Sequence, residues 1–200
     1  MSILKGQFEF QKYAFQQAKI SFYQSRKNKL KTLQEALLNY QEELCEAVSD
    51  DFGHRAKAET LLLEVFPAVE NIKLICRHLH DWMRPKKVRV PYWLWFGSAQ
   101  VIPEPKGIVG IVVPWNYPIH LAILPLVSAI AAGNYVMIKM SPLSPRTSKM
   151  IERILSEVFS REEVQLIQDD GSLSQEFIEL PFNHLFFTGS VATGKKVMAA

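Results

Sequence analysis

The stretch Gly107-Ile-Val-Gly-Ile-Val-Val-Pro-Trp-Asn-Tyr-Pro118, the apolar segment behind it and then Tyr135-Val-Met-Ile-Lys-Met-Ser141 decide the fold. Two short apolar runs rich in β-branched residues flank a segment of helical length, and each run ends in polar residues. Strands buried on both faces read as continuous apolar runs of this kind, so the pattern predicts strand, helix, strand with parallel pairing. Trp115 and Asn116 then fall at the C-terminal end of the first strand and Lys139 at that of the second. Open parallel sheets hold their ligands at that end.

The alternation continues downstream. Strands are expected over 108–113, 135–139, 164–167 and 184–188. Helices fill the gaps: 119–132, closed by Gly133-Asn134; 145–159, opened by Ser144 as cap and Pro145 in the first turn; 174–180; and a last one from 191 onward. Residues 106–200 therefore read as a doubly wound, Rossmann-like parallel sheet in an α/β fold. Upstream, residues 1–85 read as helices packed on that sheet. One pattern runs over 8–51 with Leu30, Leu33, Leu37, Leu38 and Leu44 recurring and Gly53 as its stop. A second runs over 56–82 with Leu62, Val65, Val69, Ile72 and Ile75 as its stripe and Pro85 as its end. Between them and the sheet, residues 86–105 lose the helical period. Extended runs at 88–90 and 99–102 suggest a small antiparallel arm whose Tyr92, Trp93, Trp95 and Phe96 either meet another domain or subunit or fold back on the same chain.

Composition bounds the function class. The 200 residues are 48% hydrophobic and 22% charged, enough for a core of ordinary size, and 23 basic against 20 acidic residues give a net charge of +3. So balanced and scattered a charge argues against nucleic acid, and the basic run Arg84-Pro-Lys-Lys-Val-Arg89 reads as a solvated linker. The nearly apolar run 119–133 is too short for a membrane span, and no secretory signal is visible, so a soluble cytoplasmic chain is expected. Cys45 and Cys76 are too few for a disulfide framework. Cys76, His78 and His80 do not make a metal site, because on a helix only Cys76 and His80 share a face.

The fourth expected strand runs into Gly189-Ser-Val-Ala-Thr-Gly194-Lys195-Lys196. A glycine turn between strand and helix aims free N–H groups and the positive end of a helix dipole at one point, which suits a phosphate. The string matches the start of a P-loop, Gly-x4-Gly-Lys. A P-loop then requires Ser or Thr for magnesium, where this chain has Lys196, so a nucleotide hydrolase is the weaker reading.

Four motifs together resemble the aldehyde dehydrogenases. Pro114-Trp-Asn-Tyr-Pro118 is similar to their Pro-Trp-Asn-[Phe/Tyr]-Pro signature, Ala131-Ala-Gly-Asn134 to the turn after its helix, and Phe187-Thr-Gly-Ser190 to their coenzyme-binding turn, while Lys139 stands at the place of their ribose-binding lysine. Order and spacing agree, and the Tyr of the signature resembles the branch that handles fatty, aromatic and coniferyl-type aldehydes. The resemblance implies NAD(P)-dependent oxidation of an aldehyde to a carboxylic acid. It implies that Asn116 is the catalytic oxyanion donor, a role its amide suits, and that Val113, Pro114, Trp115, Lys139, Ser141, Gly189, Ser190 and Gly194 bind the coenzyme. Read from the residues alone, Asn116 has a second role open to it, as cap of the helix from Pro118.

Two departures qualify what the resemblance implies. Many relatives read Lys-Pro-[Ser/Ala]-Glu where this chain reads Lys139-Met-Ser-Pro142, so the carboxylate that would hold the ribose hydroxyls is absent and either NAD or NADP is expected. The attacking cysteine and the water-activating glutamate follow the Phe-Thr-Gly-Ser turn in relatives, and neither Cys45 nor Cys76 has the matching context. The chain thus resembles the N-terminal part of such an enzyme, inactive by itself, with a non-catalytic dinucleotide-binding fragment as the alternative. An exposed sheet edge makes a homo-oligomer a further expectation.

Overall fold

The computed structural model describes residues 2–18 and 21–200. At its centre lies a parallel sheet of β3 (Ile108–Val112), β4 (Tyr135–Lys139), β5 (Val164–Ile167) and β6 (His184–Phe187), in the spatial order β5-β4-β3-β6. The connections are α6 (Pro118–Ala131), α7 (Pro145–Val158) and the short α8 (Ser174–Ile178), and α9 (Val191–Ala199) follows β6. The chain steps outward from β3 through β4 to β5, then returns to the other side of β3. That reversal is the switch point of a doubly wound sheet, and it opens a crevice beyond the ends of β3 and β6.

Both faces of the sheet are covered, as unbroken apolar strands require. Val109, Ile111 and Val113 join Val136, Ile138 and Met140 in one core with α2 (Tyr23–Asn39), α3 (Gln41–Phe52), α6, α7 and α5 (Phe66–Met83). On the opposite face Ile108, Met137 and Ile167 pack with Leu4 and Phe8 of α1 (Ile3–Gln17) and with Phe177 of α8. Gly110 belongs to this second face because there is no room for more: a Cβ there would lie 2.6 Å from the Phe182 ring.

The helical front is more broken than its periodicity suggests. Instead of one helix over 8–51 there are three, with Ala18 extended after α1 and Tyr40 non-helical between α2 and α3. The bend lets α2 lie along α5 while α3 lies along α7, where the Tyr40 hydroxyl bonds Glu157 at 2.9 Å. The helix expected over 56–82 is likewise interrupted: α4 (Lys57–Thr60) passes through a π turn, Leu61–Val65, into α5. Pro67 has no N–H to give to the turn before it, and the wider loop relieves that break. The extra residue shifts the phase, so Leu62, expected in the apolar stripe, is 65% exposed and Glu64 is fully buried. The arm pairs β1 (Lys86–Val88) with β2 (Ala99–Val101), two residues before the run expected at 88–90. Pro91 and the 3-10 turn Tyr92–Leu94 take up the tip, and Tyr92, Trp93, Trp95 and Phe96 all stay exposed.

Candidate active site

At the switch point a cavity of about 450 Å³ is lined by Val112, Val113 and Pro114 from the end of β3, Lys139 from the end of β4, and Phe187, Thr188 and Gly189 from the end of β6. Gly171, Ser172, Ser174 and Gln175 close one side and Thr193 and Lys196 of α9 another. Of the residues singled out from sequence, Val113, Pro114, Lys139 and Gly189 therefore meet in one place. Trp115, Asn116, Ser141, Ser190 and Gly194 lie outside this lining.

Lys139 is buried to all but 5% at the end of its strand, and its ammonium donates to Asp169 Oδ2 at 2.8 Å. Asp169 also accepts from Ser174 Oγ at 2.9 Å, Gly171 N at 2.8 Å and Leu173 N at 2.9 Å. Burial alone would push this carboxyl up, but the bonds from Lys139, Leu173, Ser174 and Gly171 outweigh it and hold the pKa at about 2. Asp169 is therefore ionised at neutral pH.

The glycine turn is built for close approach. A Cβ on Gly189 would stand 2.5 Å from the Phe187 ring, which underlies the turn, and the Gly194 position touches the same ring at 3.4 Å. Ser190 is the cap of α9: its Oγ accepts from Thr193 N at 3.2 Å, while Gly194 N is taken by Ser190 O at 2.9 Å. Among the described residues the N–H groups of Val191 and Ala192, ahead of those bonds, are left as the first free donors of α9. The Ser141 hydroxyl is occupied in its own turn, accepting from Leu143 N at 3.2 Å.

Asn116, two residues beyond Pro114 of the cavity lining, is exposed, and among the described residues its side-chain amide makes no hydrogen bond. It does not cap α6. Glu64 does, accepting from Ile119 N at 2.7 Å and His120 N at 3.2 Å, with Arg55 Nη1 as its counter-ion at 3.1 Å. Arg55 also donates to Asn116 O at 3.0 Å and lies over the rings of Phe52 and Tyr117. Trp115 leans on Phe52 with ring centres 5.9 Å apart. Two charged residues from the helical front thus fix the Pro-Trp-Asn-Tyr-Pro turn. Sequence reading missed Arg55, Glu64 and Asp169; the one available signal was an acid inside the apolar run Leu61-Leu-Leu-Glu-Val65.

Similarly, α7 is capped from outside. Asp51 accepts from Arg146 N at 3.0 Å and Thr147 N at 2.8 Å, whereas the hydroxyl of Ser144, the expected cap, turns to Ser141 O. Both cysteines are buried and burial pushes their thiols up, so neither is poised as a thiolate. Among the described residues no group of three metal-binding side chains is present, and no helix is long and apolar enough to cross a membrane.

A sequence profile of the aldehyde dehydrogenase family matches residues 9–200. The chain belongs to this family. It is 41% identical over 171 residues to a probable coniferyl aldehyde dehydrogenase of Pseudomonas aeruginosa, covering 86% of this chain and 36% of that protein. It is 34% identical over 200 residues to a 4,4'-diaponeurosporen-aldehyde dehydrogenase of Staphylococcus aureus, covering 100% of this chain and 43% of that protein. The solved substrate-bound state of Staphylococcus aureus AldH superposes with a TM-score of 0.94 at 34% identity, over 100% of this chain and 43% of its own. PnpE in complex with nicotinamide adenine dinucleotide superposes with a TM-score of 0.84 at 25% identity, over 96% of this chain and 39% of its own. The chain thus spans less than half the length of these aldehyde dehydrogenase relatives.

Proposed function

We propose that this aldehyde dehydrogenase chain supplies the coenzyme cleft and the oxyanion donor for NAD(P)-dependent oxidation of an aldehyde to a carboxylic acid. The observation that carries the reading is the meeting of Lys139 and Gly189 across the switch point, with the unengaged amide of Asn116 two residues beyond Pro114 of the same lining. A cleft of about 450 Å³ is in the range that receives a small-molecule cofactor. Lys139 would donate to ribose hydroxyls, Gly189 and the first N–H groups of α9 would meet the pyrophosphate, and Val113, Pro114 and Trp115 would lead toward the nicotinamide end. The bound dinucleotide supplies the hydride acceptor.

Asn116 then donates to the oxygen on which negative charge develops as the aldehyde is attacked. Arg55 and Glu64 hold its backbone beforehand, so the donor need not reorganise during the reaction. The attacking thiolate comes from neither Cys45 nor Cys76, whose thiols are buried and protonated. In this reading the nucleophile and the water-activating carboxylate stand outside residues 1–200, and the substrate is a coniferyl, aromatic or fatty aldehyde, coniferyl aldehyde being the one named for several relatives.

Titration with NAD and NADP, followed by tryptophan fluorescence or calorimetry, tests the reading. Saturable binding weakened by Lys139→Ala supports it. Absence of binding by either coenzyme refutes it and leaves the chain a non-catalytic fragment. A P-loop reading predicts magnesium-dependent ATP binding through Lys195, which is exposed and outside the cavity lining.

A further inference from the structure

Lys139 has no counter-charge on its own strand, Tyr135 to Lys139, or on the loop that follows, Met140 to Ser144. The loop after β5 provides one, Asp169, whose side chain is fully enclosed and bonded to a lysine that is itself 6% exposed. Neither group would be stable there alone, since an unpaired buried charge is expelled or neutralised.

We propose that Asp169 is a specificity-determining residue: by balancing the charge of Lys139 at the wall of the cleft, it selects NAD over NADP. This rests on the coenzyme reading above. The geometry accounts for the choice. All four lone-pair sites of Asp169 are used, by Lys139 Nζ, Ser174 Oγ, Gly171 N and Leu173 N, so its position is fixed to within hydrogen-bond tolerance. Gly171, at φ +104°, lets the loop wrap round the carboxylate. The same loop then presents Gly171, Ser172, Ser174 and Gln175 to the cleft.

Lys139 has three N–H donors. One is committed to Asp169 and one faces Met140 O at 3.4 Å, which leaves one for a ligand. A neutral ribose hydroxyl needs one donor and no net charge. A 2′-phosphate carries nearly two negative charges and is held well only by cations that are not already paired. Beside the Lys139–Asp169 pair it would find little net attraction and an anion close behind. The other cation lining the cleft is Lys196 of α9, on the helix that follows the glycine turn. There it serves the pyrophosphate, which both coenzymes share.

The test is the ratio of Kd values for NADP and NAD, measured by calorimetry on the wild-type chain, Asp169→Asn and Lys196→Ala. We expect the wild type to favour NAD by about tenfold or more, the effect of one well-placed charge. Asp169→Asn is expected to reduce that preference by about tenfold, chiefly through tighter NADP binding, because Lys139 is then unpaired. Lys196→Ala is expected to weaken both coenzymes alike. A loop staple with no part in selection would lower both affinities or the stability without moving the ratio, and that result overturns the proposal. Should Asp169→Asn not fold, 5′-AMP against 2′,5′-ADP on the wild-type chain, a pair that differs only in the 2′-phosphate, isolates the adenosine end: tighter 2′,5′-ADP overturns the proposal and tighter 5′-AMP upholds it. NAD binding without preference over NADP defeats this inference alone, whereas no binding of NAD, NADP or 5′-AMP defeats the coenzyme reading and this inference with it.

Discussion

Glu64→Ala removes the acceptor for three donors at once: Ile119 N at 2.7 Å, His120 N at 3.2 Å and Arg55 Nη1 at 3.1 Å. Each buried donor left unpaired costs about 1–3 kcal/mol, and the two amides are the first free N–H groups of α6. Arg55 keeps Glu59 at 2.9 Å and Asn116 O at 3.0 Å, so its loss is partial. The sum is roughly 4 kcal/mol, a large share of the 5–15 kcal/mol typical of a domain. Glu64→Gln keeps an oxygen for the amides and relieves the burial of a charge, so it should cost no more than about 1–2 kcal/mol. The pH dependence separates the two effects. Burial raises the Glu64 pKa against the lowering pull of the His120 and Ile119 amides and Arg55. A carboxyl with a raised folded pKa binds more protons folded than unfolded. Its contribution is full below the ordinary glutamate pKa and is lost as pH rises through the folded value. Urea unfolding followed by circular dichroism should therefore show wild type losing stability relative to Glu64→Gln as pH rises above the ordinary glutamate range. An Ala variant within 1 kcal/mol of wild type, or a Gln variant as damaged as Ala, would refute the capping role.

Four further outcomes can be checked. Asp51→Ala should destabilise by about 1–2 kcal/mol in the same unfolding assay through loss of the α7 cap, and Asp51→Asn by less. Gly133→Ala should cost more than a cap does, because the residue sits at φ +87° and a Cβ would lie 2.5 Å from the Arg26 guanidinium; a neutral effect in thermal melts would contradict that packing. Asp169 behaves oppositely to Glu64: held at about 2 against an ordinary 3.8, it contributes roughly 2 kcal/mol that is present above pH 4 and lost on acidification toward pH 2, a loss Asp169→Asn should not show. In a complete enzyme carrying this chain, Asn116→Ala should lower kcat by about 10²–10³ with coenzyme affinity unchanged; equal loss in both would make it a binding residue instead.

The parallel sheet was readable because its strands are nearly pure apolar runs with no solvent face, as in Ile108 to Val112 and Tyr135 to Lys139. The glycine-turn and lysine positions followed from where those runs end. Helix caps were not readable, because Asp51 and Glu64 act on helices 95 and 55 residues downstream. Local rules look for the cap beside the helix, and so pointed to Ser144 and Asn116. The breaks at Tyr40 and at the π turn escaped notice for a similar reason: each keeps the helical period on both sides and changes only its phase. Asp169 lay in a polar loop with no periodic signal, and only the fold brings it to Lys139.

β6 and α9 contrast with the rest of the sheet. The strand alternates exposed and half-buried residues, and the helix after it buries none. In a chain of residues 1–200 taken by itself, regions with so few buried contacts open at the low end of the free-energy scale, well below the core strands β3 and β4. The Gly189–Ser190 turn belongs to that unit, so in hydrogen exchange its amides should trade protons early while those of β4 wait for global unfolding. A ligand that settles on the turn must first quiet it, and part of its binding energy goes into order. Occupancy of the cleft should then be legible as slowed exchange from Phe187 to Thr193, far beyond the few atoms the ligand touches.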